Sequence, residues 1–342
     1  MDVGNLRIAV VGCGYHGTAL GQAVVRSNGL QLVACVDPDP VARRSVAAAA
    51  EGVSAYEKVA DLLEDDRVDA VLVATSHDEL APSALAAIRA GKHVMIEKPM
   101  ARDEDEAKEV EFAAASAEVT CMVGYSFRYG MARHLRRLLD EGVVGEVRAI
   151  TGTIATGEMD DGWVARAESG GGPMLYVGCH LIDLALWFLG EEPTDVSAVG
   201  HDRPDTGVDE ASALTLEFSG RRLAQFLVTQ TAPGFFYDLR IVGSSGFIGL
   251  RGRNFVQFDI DVQSETHPAY RDPTTIRPAM QRDHITMMLV PELAEFEAAI
   301  AEGRPPAITA SDGRKVLRVI DAARGSSRTR RPVTLAQALT AY

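Results

Sequence analysis

Six residues, Gly12-Cys13-Gly14-Tyr15-His16-Gly17, constrain this chain more than any others. They follow the apolar run Leu6–Val11 and open a helical stretch that reaches about Asn28. A lone G-x-G-x-x-G carries little weight. At a strand-to-helix turn it has one strong structural solution, the first βα turn of a doubly wound α/β fold. There Gly12 permits the tight turn, Gly14 lets the backbone approach a pyrophosphate, and Gly17 lets helix and strand pack closely. The helix N-terminus, with Tyr15 and His16 in its first turn, offers free N–H groups and a partial positive charge to phosphates. His16 is read as a backbone contributor with no chemistry of its own.

A second strand, Gln31–Val36, ends at Asp37. An acid about 20 residues past the last glycine suits a ribose diol and repels a 2′-phosphate. NAD is therefore favoured over NADP, with Arg43 and Arg44 nearby weakening the preference. Further strands are expected at Ala70–Ala74, His93–Ile96 and Thr120–Gly124, separated by the helices Leu80–Ala90 and Asp103–Ala117. Fully apolar strands alternating with helices mean a parallel sheet covered on both faces. Residues 1–125 read as a dinucleotide-binding Rossmann domain.

After Tyr125 the rhythm changes. A basic helix (Ala132–Leu139), the strand Glu146–Ala155 and a Gly-rich loop lead into a helix over Met174–Leu189. Consecutive strands follow from Val196 to Phe258, including Ala211–Phe218, Arg222–Thr231 and Phe236–Val242, before the chain returns to helix. Strands in succession with short turns mean a large, open, mostly antiparallel sheet. Residues 126–342 read as an α+β domain for substrate binding and oligomerisation, so the whole is α/β with an α+β second half.

A net charge of −14 excludes nucleic acid, whose phosphates need a basic surface, and anionic membranes. It tilts toward neutral or cationic small substrates. No window of about 18 apolar residues exists, and the N-terminus enters a strand-like run at once, so a cytoplasmic protein is expected. The scattered cysteines (Cys13, Cys35, Cys121, Cys179) read as reduced core thiols, and no metal is expected.

Two further stretches carry chemistry. Glu97-Lys98-Pro99 directly follows a strand, and ligands of open α/β sheets bind outside the carboxyl ends of the strands. Thr75 and Ser76, past Ala70–Ala74, fall under the same rule, and with Glu97 they join the cofactor side. Lys98 in that place can donate to a substrate oxygen and stabilise an alkoxide as hydride leaves carbon. Pro99 is a candidate for a cis peptide bond. In GGGPMLYVGCHLID, Tyr176, His180 and Asp183 share one helical face behind a flexible turn. Trp163, upstream, can stack on nicotinamide or sugar, or serve as core. Nothing local singles out Tyr237 or His284.

GCGYHG, Asp37, AGKHVMIEKPMA and GGGPMLYVGCHLIDLALWFLG together resemble the glucose–fructose oxidoreductase / inositol dehydrogenase (Gfo/Idh/MocA) family. The similarity continues through YSFRYG, the IVGSSG turn and PPAITASDGRKVLRVIDAA. The resemblance implies a Rossmann domain plus an open-sheet α/β domain, a nicotinamide cofactor, hydroxyl–ketone chemistry on sugars or cyclitols, and assembly into homodimers or homotetramers. It places the catalytic lysine on Lys98 and the histidine on His180, with substrate contacts at Arg128 and Asp183. Many members carry an aspartate four residues before the histidine, where this chain has Tyr176.

A neutral tyrosine, with an unperturbed pKa near ~10, cannot support an imidazolium as an anion would. Two mechanisms stay open: His180 as general base with Lys98 polarising the oxygen, or a Tyr176–Lys98 acid/base pair with His180 orienting the sugar. The first is preferred, because an imidazole titrating near ~6.5 suits neutral operation. Three functions follow. The foremost is an NAD-dependent dehydrogenase of a secondary hydroxyl on a sugar, cyclitol or aminosugar, an aminoglycoside intermediate included. The others are a ketoreductase on a nucleotide-linked sugar and a non-catalytic dinucleotide sensor.

Overall fold

Strand β1 (Leu6–Val11) is apolar along its length because the sheet it joins is covered on both sides. The computed structural model describes residues 5–157, 162–254, 257–278, 283 and 285–335. β1 pairs in parallel with β2 (Leu30–Val36), which pairs with the short β3 (Ser54–Tyr56). On its other side stand β4 (Ala70–Val73), β5 (His93–Glu97) and β6 (Cys121–Gly124), all parallel. The order β3-β2-β1-β4-β5-β6 reverses direction between β1 and β4. Such a reversal leaves the carboxyl ends of those two strands facing an open crevice, where ligands of these folds bind. The six-stranded doubly wound sheet is the Rossmann arrangement.

The chain divides into two compact units: residues 1–129 with 282–314, and residues 130–281 with 315–342. The two-part reading at 125/126 did not anticipate the return of 282–314 to the first unit. The reason lies in packing. Leu289, Leu293 and Phe296 enter the same core as Ile8, Val10, Leu20, Val24, Leu32 and Leu72. The helix Val290–Glu302 thereby covers the helix Tyr15–Arg26 that follows the glycine turn.

The second unit is built on nine strands. In chain order these are β7 (Val147–Ala155), β8 (Asp195–Asp202), β9 (Asp209–Phe218), β10 (Arg222–Thr229), β11 (Phe236–Gly243), β12 (Gly246–Gly252), β13 (Phe258–Ser264), β14 (Thr274–Ile276) and β15 (Val333–Thr334). Spatially they run β14-β13-β12-β11-β7-β10-β9-β8-β15. Among the described residues, only the central pair β7–β10 of this sheet is parallel. Alternation is strict: on β10, Ala224, Phe226 and Val228 are buried while Leu223 and Leu227 are exposed. One face is therefore core and the other surface.

The core face is covered by a helical segment over 174–189 and by the later part of the helix Ala310–Thr329. That second helix satisfies strand β8 directly, its Ser326 and Ser327 hydroxyls accepting from the Ala198 and Gly200 N–H groups, each at 3.0 Å. Expected as one α-helix, the segment at 174–189 in fact begins with a π turn at Met174–Gly178 and becomes α only at Cys179. π turns recur at functional sites.

Phe296 is fully buried against the first sheet's core. Phe296→Ala is expected to destabilise the protein by about 3–5 kcal/mol, the ordinary cost of a cavity of that size. Denaturant unfolding checks it, and a loss below about 1 kcal/mol would show that 282–314 does not belong to this core.

Candidate active site

The glycine turn is backbone packed on backbone. Gly12 has φ +87°, and a Cβ there would stand 2.6 Å from the Ala74 carbonyl at the end of β4. A Cβ on Gly17 would lie 1.8 Å from the Gly12 carbonyl. Gly14 differs: it has ordinary extended dihedrals, φ −66° and ψ −162°, and open space where its Cβ would be. It is also the N-cap of the helix Tyr15–Arg26 and, as a glycine, brings no side chain to cap it. A turn with an open cradle at a helix N-terminus fits a pyrophosphate.

The Asp37 carboxylate closes this side. One oxygen accepts from Cys13 N at 2.7 Å and the other from Asp39 N at 2.8 Å. A carboxylate has about four acceptor positions, so both oxygens keep capacity for ribose hydroxyls. Arg43 turns away to backbone, donating to the carbonyls of Asp37 and Pro38. Thr75 and Ser76 follow β4, Ser76 capping the helix His77–Arg89, and Thr75 N faces Gly12. Tyr15 projects into solvent, 81% exposed. These features fit NAD, held through the turn and Asp37.

At the end of β5 the structure brings His16, Glu97 and Lys98 together and adds one residue that sequence reasoning missed, Glu292. Glu97 is buried, and Gly124 on β6 makes room for it, since a Cβ there would meet Oε1 at 2.8 Å. His16 Nε2 comes within 2.8 Å of that same oxygen without hydrogen-bonding alignment. The His16 side chain is thus tied to Glu97, beyond the backbone role expected of it. Glu97 Oε2 accepts from the Lys98 N–H at 3.2 Å, and the Lys98–Pro99 bond is cis. Beneath them Glu292 is fully buried, with neither carboxyl oxygen hydrogen-bonded among the described residues. Burial, then the neighbouring Glu97 charge, push its carboxyl well above the usual range. A solitary Glu in VPELAEF gives no such signal in sequence. Arg128 lies in the 3₁₀ turn Ser126–Arg128 that follows β6.

The second unit holds the other candidates. Tyr176 lies in the π turn and is partly exposed, whereas His180 and Asp183 keep only 4% and 1% exposure. Both sit in CHLIDLALWFL, otherwise apolar throughout. Trp163 meets Tyr176 edge-on, centroids 6.1 Å apart at 82°. Tyr237 donates to the Asn254 carbonyl at 3.2 Å, and burial pushes its hydroxyl well up. His284 lies outside the described residues. All four cysteines are buried and outside any disulfide.

The turn at the β1/β4 switch point and the one-sided sheet define a two-unit oxidoreductase built on an NAD-binding Rossmann fold. The family profile described as "Oxidoreductase family, NAD-binding Rossmann fold" matches residues 6–125, and "GFO/IDH/MocA C-terminal domain" matches residues 132–249. The chain belongs to the Gfo/Idh/MocA family of oxidoreductases. It is 27% identical to inositol 2-dehydrogenase of Rhizobium meliloti, over 97% of this chain and all of that protein. To trans-1,2-dihydrobenzene-1,2-diol dehydrogenase of Danio rerio it is 34% identical, over 57% of this chain and 58% of the relative. The structure of levoglucosan dehydrogenase with NADH and L-sorbose shares the fold, with TM-score 0.88, 22% identity and coverage of 98% and 100%. No described helix is long and apolar enough to cross a membrane.

Two glycine substitutions separate packing from binding. Gly17→Ala is expected to weaken both stability and NADH affinity, because its Cβ strikes backbone. Gly14→Ala should cost the fold about 1 kcal/mol or less and still reduce NADH affinity at least ~tenfold, since its Cβ fills only the open cradle. NADH fluorescence titration with thermal melts checks both, and unchanged affinity in Gly14→Ala would remove this turn from the cofactor site.

Proposed function

We propose that this protein oxidises a secondary hydroxyl of a sugar, cyclitol or aminosugar to the ketone, with NAD preferred over NADP. One observation carries the reading: an imidazole and a carboxylate three residues apart are buried in a helix that is otherwise apolar. Burying two ionisable groups in an apolar helix carries a desolvation cost that apolar residues there would avoid, and a chemical task is the economical reason to keep them. The relatives support it, being named as dehydrogenases of inositol, of a cyclohexadiene diol and of levoglucosan.

Gly12, Gly14 and Gly17 with the helix N-terminus would hold the pyrophosphate of NAD, and Asp37 its adenosine ribose; the bound nicotinamide would supply the hydride acceptor for the carbinol carbon. Thr75, Ser76, Tyr15, the His16 backbone and Glu97 border the same nucleotide. The Lys98 ammonium donates to the reacting oxygen and stabilises its developing negative charge. His180 takes the hydroxyl proton as general base. Asp183, Arg128 and Trp163 orient the ring, and Tyr176 donates a hydrogen bond beside His180. Glu97, with Glu292 and His16 beside it, accepts the Lys98 N–H and keeps the backbone there in register.

The test is nicotinamide reduction across a panel of cyclitols, free sugars and aminoglycosides, with NAD and with NADP. His180→Asn is expected to lower kcat by about 10²–10⁴-fold and Tyr176→Phe to keep most activity. The reverse result would assign the proton to Tyr176 and Lys98. Tight NADH binding with no turnover anywhere in the panel would overturn the dehydrogenase reading in favour of a sensor.

We also propose that the exposed face of the nine-stranded sheet pairs copies of this chain into dimers or tetramers. Val199, Leu223, Leu227 and Val242 project from it, each 40–49% exposed. An apolar sheet face of this kind marks an interaction surface. Sedimentation should give a dimer or tetramer, with Leu223→Arg/Leu227→Arg shifting it to monomer. A wild-type monomer at tens of micromolar removes the proposal.

A further inference from the structure

The turn that leads into the Tyr176–His180 helix rests on a carboxylate that no sequence pattern announces. β9 pairs regularly with β8 as far as Ala211, opposite His201, but the next pair is Asp209 with Asp202. Glu210 is the extra residue of a bulge, and an extra residue reverses which side chains face the core. Ser212, Leu214 and Leu216 point inward, and the bulge turns Asp209 to the same side. The Glu210 carbonyl is taken up by Gln230 N at 3.1 Å and Thr229 Oγ1 at 3.3 Å, while Gln230 Nε2 donates to the Asp209 carbonyl at 3.4 Å.

So aimed, Asp209 meets the catalytic segment at its first residues. Its Oδ2 accepts from Met174 N at 3.0 Å and from Ser212 Oγ at 3.4 Å. Its Oδ1 occupies the space beside Gly172, where a Cβ would come to 2.1 Å, and Gly172 has φ +80°. Arg324, from the helix Ala310–Thr329, reaches the Gly171 carbonyl at 3.5 Å and bonds Asp321 at 3.4 Å. Two neighbouring glycines are thus held from opposite chemical sides, one by a carboxylate and one by a guanidinium.

We propose that Asp209 is a positioning residue that fixes the start of the segment Met174–Leu189 and so sets where Tyr176 and His180 stand. The proposal rests on the catalytic reading of His180. Asp209 is faced by the charges of Arg324 and of Asp202 on β8. Burial raises its carboxyl to about 6, against the pull of the Met174 N–H and Arg324 and with Asp202 adding repulsion. A raised carboxyl pKa means that the ionised form weakens the fold, its stability falling as pH rises through about 6. A group that served only stability would gain by losing its charge. The charge is kept where it gives the stronger acceptor at a helix start.

Asp209→Asn, close to isosteric, separates the two roles. In a Trp187→Phe background, Trp163 is the sole tryptophan and reads the position of Tyr176 through their edge contact. Its emission is expected to titrate near pH 6 with Asp209 present, to be flat in Asp209→Asn, and to titrate still in His180→Asn. At pH 8, Asp209→Asn should melt no lower than wild type, keep its NADH affinity within about twofold, and lose about tenfold in kcat. A lower melting temperature with unchanged kcat would make Asp209 structural only. Trp163 emission that titrates identically without the carboxylate would overturn the proposal outright. Because the emission needs no turnover, it decides Asp209 even where His180→Asn stays active, the outcome that sinks the His180 reading alone.

Discussion

At the Gly12–Gly17 turn, three backbone segments approach more closely than any side chain permits. The end of β4 abuts Gly12, and the first turn of the following helix abuts Gly12 in turn through Gly17. This contact sets the spacing of β1, β4 and their helix, so it also sets where the carboxyl ends of the strands open. Everything assigned to the cofactor sits at those ends: Asp37 after β2, Thr75 after β4, Glu97 and Lys98 at β5. Gly12 and Gly17 are packed on backbone while a Cβ on Gly14 would meet nothing within 4 Å, so the turn is fixed on both sides of one open position.

Most of that half was legible in the sequence because its constraints are local. A glycine pattern at a strand end, an acid ending the next strand and a Lys-Pro after a buried strand each report on a few consecutive residues. The succession of strands with short turns after Val196 likewise indicated a mostly antiparallel sheet. What escaped was set by distant partners. Residues 282–314 fold onto the first sheet because Phe296 fits its core, which no local pattern states. The π turn at Met174 and the bulge at Glu210 are one-residue departures from regular period, and periodic reasoning averages over them.

His16 shows the same limit at one residue. Its place inside the glycine motif suggested a backbone role, yet its ring reaches Glu97, 81 positions away in the chain (97 minus 16). Glu97 in turn lies against a second acid, Glu292, that arrives on a helix almost two hundred residues later. Burial, with the nearby Glu97, pushes the Glu292 carboxyl well above its usual range. The backbone N–H of Lys98 and the imidazole of His16 meet the Glu97 carboxyl.

A common device then links the two units. In each, a residue proposed for the chemistry lies on backbone beside an acid that accepts a backbone N–H: Lys98 beside Glu97, and the turn before Tyr176 and His180 beside Asp209. In each, a glycine supplies the space, Gly124 for Glu97 and Gly172 for Asp209. Burying an acid raises the cost of its charge, and that cost falls on stability rather than on geometry. A carboxylate accepting a backbone N–H also resists displacement more than an apolar contact does, because releasing it leaves a charge unsolvated. Precision at the reacting groups is therefore obtained by spending stability a few residues away from them.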